Sequence, residues 1–224
     1  RIVTPQIIRD QIVENVGLPA DQEIDVDIPA ALMLPLVVVG QLPEIRLTAD
    51  DVELNGITAD VDVTAADVPM YRDADWSFAN ATVVMDQAQT RALLSEVDGF
   101  PAEAVTLDPP DVAVDTSFPV LGTSVPVGVT LSPAARDGEI ILSPTTFRLG
   151  GADLSADALR EQLGPLVGSM LEEFPVCVSG YLPKAMTLTD VAVEDRGIVA
   201  SFEIDSSILR DTSAQEPGSC AADR

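Results

Sequence analysis

The feature that most constrains this chain is a two-residue rhythm of aliphatics and carboxylates. It begins at EIDVDI (23–28) and runs through EIRLTADDVEL (44–54), GITADVDVTA (56–65) and WSFANATVV (76–84). Successive side chains of a strand point to opposite faces, so such segments bury one face and wet the other. That is the pattern of an antiparallel sheet. The rhythm slips between Ala49 and Val52, where Asp50 and Asp51 stand together, and the slip predicts a bulge. It resumes as AVTLD, DVAVDTSF, VPVGVTLS and EIILSPTTFRL, with Asp137-Gly138 as the turn signal between the last two. KAMTLTDVAVED and GIVASFEID form a closing hairpin around Asp195, Arg196 and Gly197.

Helical spacing interrupts this rhythm in a few places. Residues 1–17 predict a helix with Thr4 as cap, Pro5 at its first position and Gly17 at its end. A short helix is expected over DQAQTRALLSEV, capped by Asp86, with Ala88, Leu93, Leu94 and Val97 inward. The strongest helical signal covers 156–174 after the capping Ser155. There Leu159, Leu163, Leu166, Val167, Met170, Leu171 and Phe174 make a wide apolar stripe, with a kink at Gly164-Pro165. Residues 30–42, AALMLPLVVVGQL, fit neither rhythm. Pro35 and three consecutive valines oppose a long helix, so the run reads as a short apolar element between two strands. No composition break marks a linker, and a single domain over 1–224 is expected, ending in a polar tail at 211–224.

Composition narrows the chemistry. Thirty-seven acidic residues against twelve basic give a net charge of −25, which repels phosphate backbones, so no nucleic-acid partner is expected. No apolar run reaches the length of about 18–20 residues that a spanning helix needs. The chain opens on Arg1 rather than Met, consistent with removal of a signal peptide or membrane anchor. With no histidine, Ser-His-Asp and Cys-His catalysis and histidine-ligated zinc are excluded. Two cysteines cannot make the usual four-ligand zinc site, and no Gly-rich phosphate loop occurs, so neither cofactor nor metal is expected. The acidic pairs and clusters, Asp50 with Asp51 and Asp21 with Asp25 and Asp27, read as solvated faces, and Asn80-Ala-Thr82 matches a glycosylation sequon inside a strand. Cys177 and Cys220 fit one disulfide in an oxidising compartment, with two separate buried thiols as the alternative.

The segment DVDIPAALMLPLVVVGQLPEIRLTADDVEL, the DGEIILSP strand, the capped apolar helix and VCVSGYLPKAMTLTDVAVEDRGIVASFEI together resemble the LmeA-like phospholipid-binding family of actinobacterial cell envelopes. A cysteine just before a Leu-Pro and another in a Gly-x-Cys tail belong to the same resemblance. It covers nearly the whole chain and implies an α+β fold of tubular lipid-binding type, a long curved antiparallel sheet wrapping two or three apolar helices. It also implies secretion or anchoring outside the cytoplasmic membrane, binding of phospholipid such as phosphatidylinositol and a part in lipoglycan biogenesis, without a defined catalytic triad. The favoured reading is accordingly a monomeric, non-enzymatic protein that holds or shuttles phospholipid, with transient contact to a membrane surface. The expected acyl groove is lined by Leu32, Leu34, Leu36, Val38, Leu42, Leu163, Leu166, Val167, Met170 and Phe174, with Arg46, Arg72, Arg148 and Lys184 as candidates for the headgroup. Two other readings stand beside this one: an envelope interaction module without lipid, and a carboxylate-dependent enzyme on envelope glycolipids.

Overall fold

The computed structural model describes residues 24–27, 41–54, 57–69, 75–97, 99–120, 123–149, 151–163 and 171–219. Within these the chain is sheet-dominated, and it divides into two compact units. The first comprises residues 1–84, 179–189 and 200–224, the second residues 85–178 and 190–199.

One sheet has the strand order β1 (Asp25–Asp27), β2 (Gln41–Leu54), β3 (Ile57–Pro69), β4 (Phe78–Met85), β12 (Gly197–Ile204) and β11 (Met186–Glu194). The register explains the sequence rhythm. Val26, Leu47, Val63 and Ala81 align across four strands, and Ile45, Ala65 and Ala79 align beside them. The opposite face carries Asp25, Thr48, Asp62 and Thr82, then Asp27, Arg46, Thr64 and Asn80. The expected bulge lies where the phase slips, between Ala49 and Val52. There Asp51 takes a left-handed φ of 51° and its backbone N–H donates to Asp60 Oδ1 at 2.9 Å.

The second unit holds a second sheet in the order β10 (Phe174–Cys177), β8 (Glu139–Leu149), β7 (Thr123–Arg136), β6 (Asp111–Val120) and β5 (Val105–Asp108), with β9 (Ala152–Ser155) also on β8. Asp137 and Gly138 form the β7–β8 turn, both at positive φ, as a two-residue hairpin turn requires. Between β4 and β5 lies α1 (Gln87–Ser95). Asp86 caps it by accepting from Ala88 and Gln89 N–H at 2.7 and 2.8 Å, while Gln89 Oε1 accepts from Asp86 N–H at 2.8 Å. This reciprocal pair is a capping box. The helix also guards a sheet edge. Gln87 donates its Nε2 to Val105 O and accepts from Leu107 N–H, both at 2.9 Å, as a neighbouring strand would, and Arg91 adds two donors to Val105 O.

Several expectations need correction. Two sheets take the place of one long sheet. Ala88 is exposed, and Thr90 takes the inward position with Leu93 and Leu94, its hydroxyl facing Met85 O at 3.4 Å. The helix expected over 156–174 is described as α2 (Ala156–Leu163), capped by Ser155 Oγ, which accepts from Ala158 N–H at 3.1 Å. It does not reach Phe174, which opens β10 and pairs with Leu142. The cause is local: Pro175 disfavours helical backbone at the residue before it, and an extended 174 finds a strand to pair with. The helix expected over 1–17 lies outside the described residues, and so does the short apolar element expected at 30–42, except for Gln41 and Leu42, which open β2.

The polar tail is held against the first unit as far as Gly218. Ala185 N–H donates to Ala214 O, Lys184 N–H to Glu216 O and Gly218 N–H to Leu182 O. A short helix, α3 (Thr212–Gln215), lies within this stretch.

Candidate functional site

Alternation in the second unit produces one extensive apolar sheet face, most of it buried, with Val105, Val112, Leu131, Leu142 and Phe147 each almost fully covered. Val105, Val114, Val129, Phe147 and Leu154 align across all five strands from β5 to β9. Leu107, Val112 and Leu131 form the next row. Ala156 and Leu159 of α2 pack with Phe147, and Val129, Leu154 and Leu171 join the same cluster half-buried. Farther along, Leu142 and Ile140 pair with Phe174 and Val176 of β10. Phe174 is therefore the outer margin of this surface, 38% exposed, with its ring edge-on to Phe100 at 5.7 Å.

The apolar face of the first unit is built from smaller residues. Ala65, Ala79 and Ala81 are buried, whereas Val26, Leu47, Val61, Val63 and Val83 are half-buried. Alanines at the centre of a sheet face leave space above the backbone that larger side chains would otherwise fill.

The proposed lining residues are distributed as follows. Phe174 lies on the apolar surface just described. Leu42 is half-buried opposite Val68, and strand alternation places it with Glu44 and Arg46 rather than with Ile45 and Leu47. Leu163 ends α2. Leu32, Leu34, Leu36, Val38, Leu166, Val167 and Met170 lie outside the described residues.

The three headgroup candidates among the described residues are each matched by a carboxylate. Arg46 stands 3.9 Å from Glu44, Arg148 Nε donates to Asp153 Oδ1 at 3.1 Å, and Lys184 Nζ reaches Glu216 Oε2 at 2.8 Å. All three are at least half exposed, so these pairs contribute little to stability. Arg46 and Arg148 project from the polar faces of their sheets, opposite the apolar rows, and Arg72 lies outside the described residues. Cys177 sits in β10, while Cys220 is outside the described residues.

Sequence reasoning missed one polar cluster in the first unit. Asp75 accepts from Ser206 Oγ and from Arg210, beside Trp76, whose Nε1 donates to Ile204 O at 3.1 Å. The Ser206 hydroxyl, with Arg210, holds the Asp75 carboxyl below its ordinary value. No spacing in the sequence announces this cluster, because its members are about 130 residues apart. Among the described residues no group of histidine, cysteine, aspartate or glutamate is placed to hold a metal ion, and no helix is long and apolar enough to cross a membrane.

Residues 3–203 match the family model described as LmeA-like phospholipid-binding. No curated protein and no solved structure matches the chain.

Proposed function

The chain belongs to the LmeA-like phospholipid-binding family, and from that premise we propose that it is a monomeric carrier that shuttles phospholipid outside the cytoplasmic membrane during the building of envelope lipoglycans. The observation that carries the reading is the span of the family match, nearly the whole chain. The apolar surface bordered by Phe174 supports it, because a one-sided sheet face of valine, leucine and phenylalanine suits an acyl chain. The lipid is of phosphatidylinositol type, and the protein meets the membrane transiently to collect it. The protein's net charge of −25 keeps it from adhering to anionic headgroups through its general surface. An acyl-lining role for the apolar residues of 32–42 and 156–174 belongs to the same reading, as does a fold of tubular lipid-binding type.

The test is organic extraction of the purified protein followed by mass spectrometry. Near-stoichiometric phospholipid is expected, and Phe174→Ser should lower it. A protein that comes out empty and stays empty after incubation with phosphatidylinositol vesicles refutes the reading. The extracytoplasmic location carries a second expectation, a Cys177–Cys220 disulfide. Intact mass after alkylation should rise only when the protein has first been reduced.

A further inference from the structure

The second sheet is dented on the face opposite its valine row. Thr106, Ala113, Thr130 and Thr146 align across β5 to β8, and Asp115, Gly128, Arg148 and Asp153 align beside them across β6 to β9. Nothing in the first row is larger than threonine, and Gly128 has no side chain at all. The result is a cavity of about 210 Å³, whose aliphatic lining residues Leu107 and Val129 alternate toward the other face.

Two local features show that the dent is built into the strands. Gly128 lies in mid-strand, yet a Cβ there would stand 2.7 Å from Asp115 Oδ1 and 3.3 Å from Arg148 Cβ. Its missing side chain is what lets Asp115 lie over the strand. In β8 the register shifts beside Thr130 and Leu131, and the Thr145 hydroxyl donates to Thr130 O at 3.2 Å. Strand glycines and bulges both occur where something must approach the backbone closely.

The groups in the dent select among ligands. Asp108, Asp115 and Asp153 outnumber Arg148, so phosphates and carboxylates are repelled. An acyl chain finds only the methyl of Ala113 and those of the threonines to cover it. A simple cation meets the guanidinium of Arg148, held in the dent by Asp153. A hydroxyl group, which donates and accepts, can use the carboxylates, the guanidinium and the threonines together. The cavity is smaller than the ~300–1,000 Å³ of sites for drug-sized ligands, and so has room for about one ring. We infer that this dent binds a neutral sugar ring, carried either by a free glycan or by a glycolipid headgroup. Because it lies on the opposite face from the valine row, it is separate from acyl-chain binding there.

The test is amide NMR of the full chain titrated with methyl α-glucoside, methyl α-galactoside and methyl α-mannoside, with glucuronate as the charged comparator. Saturable shifts of the Asp115, Gly128, Thr146 and Arg148 amides are expected with at least one neutral glycoside and not with glucuronate. Arg148→Gln and Asp115→Asn should each weaken binding by about fivefold, the scale of one lost hydrogen bond. Vesicles carrying a neutral monoglycosyl diacylglycerol decide the source: a response to them alone assigns the sugar to a lipid headgroup, and a response to the soluble glycosides assigns it to a glycan. No response to either, equal response to glucuronate, or shifts unchanged in both variants overturns the inference. The soluble titrations contain no lipid, so their outcome is independent of whether the protein extracts with phospholipid.

Discussion

Replacing Gly197 by alanine should be among the most damaging single substitutions in the described chain. Gly197 opens β12 at a φ of +136°, a region that L side chains rarely adopt. A Cβ there would fall inside van der Waals contact with the carbonyl oxygen of Met85, 2.8 Å from its carbonyl carbon and 3.1 Å from Asp86 Cα. All three are backbone atoms, so no rotamer change relieves the clash. The unfavourable backbone region costs about 1–3 kcal/mol and forced overpacking about 1–3 kcal/mol more. The expected loss is therefore about 2–6 kcal/mol, read as a lower midpoint in urea and, at roughly 2–4 °C per kcal/mol for a chain of this size, as a clearly lower Tm. Gly99→Ala is the control, since it has a φ of +78° but open space around the added carbon. It should lose only the backbone part. A Gly197→Ala protein within about 1 kcal/mol of the parent, below even the combined minimum of the two penalties, would refute the close approach of β12 to Met85.

Asp86→Ala removes the capping box of α1 and should cost about 1–2 kcal/mol in thermal unfolding, whereas Asp86→Asn, an equally good cap, should stay close to the parent. Asp75, Glu173, Asp205 and Asp211 are held below their ordinary values by hydrogen bonds from Ser206, Arg136, Ser207 and Ser213 respectively. A lowered folded value stabilises above the ordinary carboxylate range and is lost as pH falls through the folded value. The Tm gap between parent and Ser206→Ala should thus be full at pH 6–7 and shrink below pH ~4; a gap independent of pH would contradict the hydrogen bond to Asp75.

Much of the fold is legible because alternation is a local signal. Ile45, Leu47 and Ala49 against Arg46 and Thr48 can be read without a partner strand, and the register confirms them. The Asp50-Asp51 bulge and the Asp137-Gly138 turn are equally local. What escaped depends on neighbours that the sequence does not place side by side. Phe174 completes a helical stripe on paper, but Pro175 and the free side of β8 make it a strand residue. Leu42 is apolar, yet its phase sets it with Glu44. The dent arises only when Gly128 is aligned between Asp115 and Arg148, although a lone glycine inside VPVGVTLS is a signal that could have prompted the question. Of the expected lining residues, Phe174 lies on the apolar face of the second sheet, though in a strand and not in a helix.

The Gln87 amide has a consequence for what can add to the outer edge of the second sheet. β5 is a four-residue outer strand, and an outer strand with free N–H and C=O groups is a template on which another chain can add. One primary amide and one guanidinium occupy the groups of Val105 and Leu107 that a foreign strand would need. Protection against self-association on this side is therefore not spread over a surface of lysines. It hangs on Gln87 and Arg91, in the first two turns of one short helix, and conditions that fray those turns would open a seeding point for aggregation well before the sheet itself comes apart.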